Sequence, residues 1–159
     1  MITDITYTNS CSILQNAIKT RTTAFHKRLK ELYPCVDDVT KLPQAWSQQA
    51  RSANLGLTQN NLGCYFRARC VGEEKTAASV RADNFIPPSC LLYYFEVTFV
   101  SKGREGYMGL GLTSSNVSLD KYPGWEPGSY AYHADDGNLF RGNNRGISYG
   151  PKSTIGDIV

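Results

Sequence analysis

EGYMGLGLTSSNVSLDKYPGWEPGSYAYHADDGNLFRGNNRGISYGP, residues 105–151, decides the fold class. Short alternating runs such as YMGLGLT and SYAYH are separated by glycine, proline and aspartate turn signals. Aromatic side chains crowd the turns as well as the strands. That composition suits an antiparallel β-sandwich whose loops present rings and open backbone to a partner.

Upstream, YYFEVTFV (93–100) is the strongest strand, with Tyr94, Glu96, Thr98 and Val100 alternating against Tyr93, Phe95, Val97 and Phe99. A loop of hairpin size, 101–106, joins it to YMGLGLT. Further strands are expected over 55–58, 63–70, 77–82, 107–113, 129–133, 138–140 and 155–159. No helix–strand alternation supports a parallel sheet. Towards the N-terminus, Leu14, Ile18, Phe25, Leu29 and Leu32 form one apolar stripe, which predicts a helix within 13–32. Tyr33 precedes Pro34, and a residue before proline disfavours helical geometry, so the helix ends there. Residues 1–12 read as polar and loose, and 34–54 as an extended connector with Trp46 tucked onto the body. The chain thus divides into a polar segment and helix (1–33), a connector (34–54) and a β-sandwich (55–159).

A chain of 159 residues with 41% hydrophobic and 19% charged side chains has the size and balance of one globular domain. Its net charge of +3 sits in the first 32 residues, where Lys19, Arg21, Lys27, Arg28 and Lys30 outnumber Asp4 and Glu31. The body is neutral, so no nucleic-acid partner is expected. No apolar run reaches the roughly 18 residues that span a bilayer, and the N-terminus lacks the pattern of a signal peptide, so no membrane partner is expected. Cys11, Cys35, Cys64, Cys70 and Cys90 are odd in number and form no CxxC pair, which favours reduced thiols inside a cell. The sequon at Asn116 is discounted accordingly.

Several residues resemble chemistry and have simpler readings. Gly109 and Gly111 lie inside an alternating strand, where they permit close backbone approach; a phosphate loop would lead into a helix. His133 stands near Asp135 and Asp136, but Asp-Asp-Gly after a strand is a turn signal, and no second ligand stands at metal spacing. Among the carboxylates Glu96, Glu105, Glu126, Asp135 and Asp136, no pair is singled out for glycoside chemistry, and no serine sits in a GxSxG elbow. An enzyme, a cofactor and a metal site are therefore not expected. Tyr122, Pro123, Gly124 and Trp125 differ: proline fixes the backbone and glycine lets it turn, which holds two large rings on a short rigid loop. Such rings carry much of the energy at interfaces. Tyr122 is the better contact residue, while Trp125 could equally fold inward.

AASVRA (77–82), YYFEV (93–97), SKGREGYMGLGL (101–112), YPGWEPGSYAYHADDG (122–137) and YGP (149–151) strongly resemble the SPRY domain of the Ran-binding protein M (RanBPM) family. RLKELYP (28–34), the region of Trp46 and GLTQNNL (56–62) resemble the segment that precedes SPRY in the same proteins. The resemblance implies a mainly β, antiparallel SPRY-type sandwich, here preceded by a short amphipathic helix. It also implies a non-enzymatic adaptor or scaffold, cytoplasmic with the nucleus as a second compartment. Its partners would be proteins bound through short linear peptides and, in a longer protein, subunits of a CTLH-type ubiquitin ligase complex. Carried over by position, the peptide site would use Lys75, Thr76, Tyr122, Pro123, Gly124 and Trp125. Glu73 in the loop 72–76, and Arg141, Asn143 and Asn144 beside Arg145, would make flanking contacts, with the serine-rich turn 114–118 nearby. The spelling NLFRGNNRGIS (138–148) departs from the family and should alter partner choice. Family members continue beyond GDIV (156–159) with strands that complete the sandwich. A domain incomplete at its C-terminal end, as a fragment or short isoform, is expected. The alternatives are a carbohydrate-binding or sugar-cleaving β-sandwich, or an inactive fragment.

Overall fold

Alternation of apolar and polar side chains in short, turn-bounded segments produces ten strands among the residues described by the computed structural model: 5–8, 31, 41–67, 77–90, 92–102 and 106–159. In chain order they are β1 (Ile5–Thr8), β2 (Trp46–Arg51), β3 (Leu55–Leu57), β4 (Cys64–Phe66), β5 (Val80–Ala82), β6 (Glu96–Phe99), β7 (Gly109–Thr113), β8 (Ser129–His133), β9 (Asn138–Arg141) and β10 (Ile147–Ser148). All pairings are antiparallel. The protein is mainly β, as expected. The helix expected within 13–32 lies outside the described residues, apart from Glu31.

The largest sheet has the order β10-β9-β8-β7. Its register sets Gly111 against Ala131 and Ala131 against Phe140, so these residues share one face with His133. Leu110 and Tyr132 point the other way, onto a core of Val97, Phe99, Met108 and Ala134. Gly111 shows why a side chain is missing inside this strand: a Cβ would stand 1.9 Å from the Tyr130 carbonyl oxygen. The close approach expected for this glycine is therefore present.

β6 is the second structural centre. β1 pairs along one side of it, with Ile5 opposite Phe99 and Thr8 opposite Glu96. On its other side Val97 and Val159 exchange hydrogen bonds of 2.8 and 2.9 Å, and the Phe99 carbonyl accepts the Gly156 N–H at 2.7 Å. Val97 and Phe99 are each only 1% exposed.

Four stretches differ from expectation. Residues 5–8, read as loose, form β1, because Ile, Thr and Tyr suit a strand once a partner edge exists. Within the expected connector, β2 pairs with β5 through an irregular register in which Trp46 faces Ala82 and Arg51 faces Val80. The Ser47 hydroxyl accepts the Gln49 and Ala50 N–H groups there, so a side chain competes with the ladder. The strand expected over 155–159 begins as a turn instead. Gly156 takes a φ of +91°, and the Asp157 carboxylate accepts the Thr154 N–H at 2.7 Å. After the turn, residues 157–159 pair with β6, with Ile158 bridged to Thr98. β10 had no counterpart among the expected strands.

Phe99→Ala should lower unfolding free energy by about 3–5 kcal/mol, through lost burial and a residual cavity. Leu112→Ala, at a position 52% exposed, should change it by less than about 1 kcal/mol. Urea denaturation of both variants checks this, and equal losses would contradict the assignment of the core.

Candidate functional site

The loop between β7 and β8 lies across the His133 face of the large sheet. Its centre is a turn in which the Trp125 N–H reaches the Tyr122 carbonyl at 3.3 Å. Pro123 occupies the first central position and Gly124, with a φ of +87°, the second. That is the residue pattern and the positive φ of a type II turn. A Cβ on Gly124 would come within 2.7 Å of the Phe140 Cβ and 3.0 Å of the Ala131 Cβ, so glycine is required both by φ and by contact with the sheet.

Polar groups of the sheet grip this turn from below. The Ser129 hydroxyl accepts the Gly124 N–H at 3.0 Å and donates to the Glu126 carbonyl at 2.7 Å. His133 Nε2 lies 2.8 Å from the Pro123 carbonyl oxygen. A carbonyl only accepts, so Nε2 carries the proton in this bond. The Gly124 carbonyl in turn accepts the Asn143 N–H at 3.1 Å, which ties the loop after β9 to the same turn.

The β2–β5 ribbon anchors the loop from the side. Ser79 donates its N–H to the Leu119 carbonyl at 2.7 Å and its hydroxyl to the Lys121 carbonyl at 2.8 Å. Ser52 donates to the Asp120 carboxylate at 2.6 Å, and the Arg81 guanidinium donates to the Val117 carbonyl. Glu126 braces the loop internally, pairing with Lys121 through one oxygen and accepting the Ser118 N–H at 3.0 Å through the other. The Lys121 bond, and then the Ser118 bond, hold the Glu126 carboxyl below its ordinary value.

On this frame the rings assemble. Tyr122 and Trp125 stand with centroids 4.9 Å apart, Trp125 stacks at 6.2 Å on His133, and His133 lies 4.0 Å from Phe140. Tyr107 adds an edge-on contact to Tyr122 at 6.2 Å. Trp125 is neither plug nor fully presented ring: it packs on this stack and remains 40% exposed. Beside the stack opens a cleft of about 610 Å³, whose wall includes Ala77, Tyr122, Trp125, Glu126, Asn143 and Asn144.

Of the expected site residues, Tyr122, Trp125, Asn143 and Asn144 therefore meet at one cleft, with Pro123 and Gly124 as its scaffold. Lys75, Thr76 and Glu73 lie outside the described residues; Ala77, which follows them in sequence, lines the cleft. Arg141 is not brought to the cleft wall. It faces Tyr130 in the register and so sits on the opposite side of the sheet from Phe140. His133 and Phe140 were missed as supports of the loop. The signal for them was parity, since Ser129, Ala131 and His133 alternate onto one strand face. Asp136 performs the expected turn chemistry, accepting the Asn138 N–H at 2.9 Å.

A family profile described as "SPRY domain" matches residues 92–159. Ran-binding protein 9 of Mus musculus is 45% identical over 148 residues, which cover 91% of this chain and 22% of that protein. The Ran-binding proteins 9/10 homolog of Drosophila melanogaster is 47% identical over 133 residues, covering 82% and 14% respectively. The chain thus spans less than a quarter of the length of these curated relatives. A solved structure described as "Crystal structure of human SPRY domain" is 46% identical, with a TM-score of 0.39 over 40% of this chain and 39% of that one.

Because the Glu126 carboxyl is held low, its contribution to stability is complete above its ordinary value of 4.5 and is lost as pH falls through the depressed folded value. The melting-temperature advantage of wild type over Glu126→Gln should therefore be present at neutral pH and shrink in acid. An advantage that grew in acid would have the wrong sign.

Proposed function

Because the chain is a SPRY-bearing homologue of Ran-binding proteins 9 and 10, a protein-interaction domain, we propose that it takes short peptide segments of other proteins into the cleft beside Tyr122 and Trp125, without catalysis of its own. The observation that carries this reading is the pairing of the two rings with Asn143 and Asn144 in one cleft wall. A side chain of the peptide packs on the rings, while the Asn144 amide bonds its main-chain groups; the Asn143 amide shapes the wall, accepting the Arg145 N–H at 2.9 Å and donating to the Arg141 carbonyl at 3.2 Å. Amide side chains both donate and accept, as an extended peptide requires. A cleft of about 610 Å³ falls within the size range of ordinary ligand sites. That volume suits a short linear segment.

Glu126 and Lys121 satisfy each other at the cleft wall, and Asp120 is bonded to Ser52. The wall therefore favours an uncharged contact segment over a strongly charged one. In a longer protein the same module would serve as the recruiting part of a scaffold in a CTLH-type ubiquitin ligase complex, in the cytoplasm and nucleus. Co-purification of such subunits with the longer protein tests that wider role.

Tyr122→Ala should weaken binding of a peptide selected on the wild-type chain from a displayed random library by tenfold or more, about 1.4 kcal/mol or above. Its melting temperature should fall only a few degrees, because Tyr122 is half-buried. Tyr130→Ala, 58% exposed on the other face of the sheet, should bind as wild type. Fluorescence anisotropy reads both; equal binding by all three proteins rejects the site. Saturable binding on a glycan array in place of peptide binding would favour a carbohydrate-binding sandwich instead.

A further inference from the structure

His133 stacks beneath Trp125, one of the rings that wall the proposed peptide cleft, and its ring takes no part in the Asp136 turn that follows it. We propose that His133 is a positioning residue of the cleft: with Ser129 it clamps the single peptide plane between Pro123 and Gly124, and so selects the turn conformation that presents Tyr122 and Trp125. This inference rests on the peptide-binding reading above.

The geometry is specific to one plane. The carbonyl end, at Pro123, accepts from His133 Nε2 at 2.8 Å. The amide end, at Gly124, donates to the Ser129 hydroxyl at 3.0 Å. Both side chains come from β8, four residues apart and on the same face, and His133 is only 5% exposed. A Pro-Gly turn has two accessible forms that differ mainly by rotation of this central plane: type II with positive φ at glycine, and type I with negative φ. Glycine itself offers little resistance to either. Rotation of the plane would withdraw its carbonyl from His133 and its N–H from Ser129 together. The clamp therefore holds the +87° φ of Gly124, and a preorganised loop binds more tightly than one that must be ordered.

Two substitutions separate the hydrogen bond from the ring. His133→Phe keeps an aromatic ring against Phe140 and loses the donor. His133→Gln loses the ring and restores an amide N–H at similar reach. The probe is a fluorescent synthetic peptide taken from a displayed random library selected on the wild-type 159-residue chain, with Tyr122→Ala and Ser129→Ala measured alongside. His133→Phe and Ser129→Ala should each weaken binding about tenfold and speed amide exchange at Gly124. His133→Gln should bind within about threefold of wild type while melting lower than His133→Phe. That inversion of the binding and stability orders would not arise from a merely structural role. A peptide lost by Tyr122→Ala but bound normally by His133→Phe overturns this inference alone. A library yielding no saturable peptide, or one that Tyr122→Ala binds equally, overturns the peptide reading and this inference with it.

Discussion

Gly124 has no side chain, and the loop that carries Tyr122 and Trp125 lies flat on the large sheet because of that. A Cβ there would sit 2.7 Å from the Phe140 Cβ, closer than real carbon contacts allow, on a backbone with positive φ. Direct contact of loop backbone with sheet brings the Pro123 carbonyl to His133 and the Gly124 N–H to Ser129. It also sets Trp125 against the rings of His133 and Phe140. Lifted by even one methyl group, the loop would lose both hydrogen bonds and leave buried polar groups unpaired, which costs more than the bonds themselves contribute.

A second constraint comes from the opposite side. Ser52, Ser79 and Arg81, from the β2–β5 ribbon and its ends, bond the loop between Val117 and Lys121. The cleft is therefore built from three remote stretches: the ribbon near Ala77, the turn at Tyr122 and the loop at Asn143. Rings held this way have little freedom left to lose. The Glu126–Lys121 pair serves the same end by stiffening the loop.

Much of this was legible in the sequence. The period-two alternation of 93–100 and 129–133 corresponds to β6 and β8, because one face of each strand is buried and the other is not. Gly111 was readable as a close-approach glycine from its place inside an alternating run. The Tyr-Pro-Gly-Trp turn was readable from the chemistry of its central pair. β1 and β2 were less so: their strand character depends on pairing with β6 and β5, tens of residues away, and local polarity hid it. The run 155–159 misled in the other direction, since apolar residues suggest a strand while Gly156 and Asp157 enforce a turn.

Local residue types and their spacing suffice for the mainly β, antiparallel class, the family and the rigid aromatic turn. Tertiary structure alone decided which residues share the cleft. It joined Ala77 and Asn143 to Tyr122, turned Arg141 to the far face, and placed His133 beneath Pro123. Those outcomes follow from strand register and long-range pairing, where a shift of one residue exchanges the two faces of a strand.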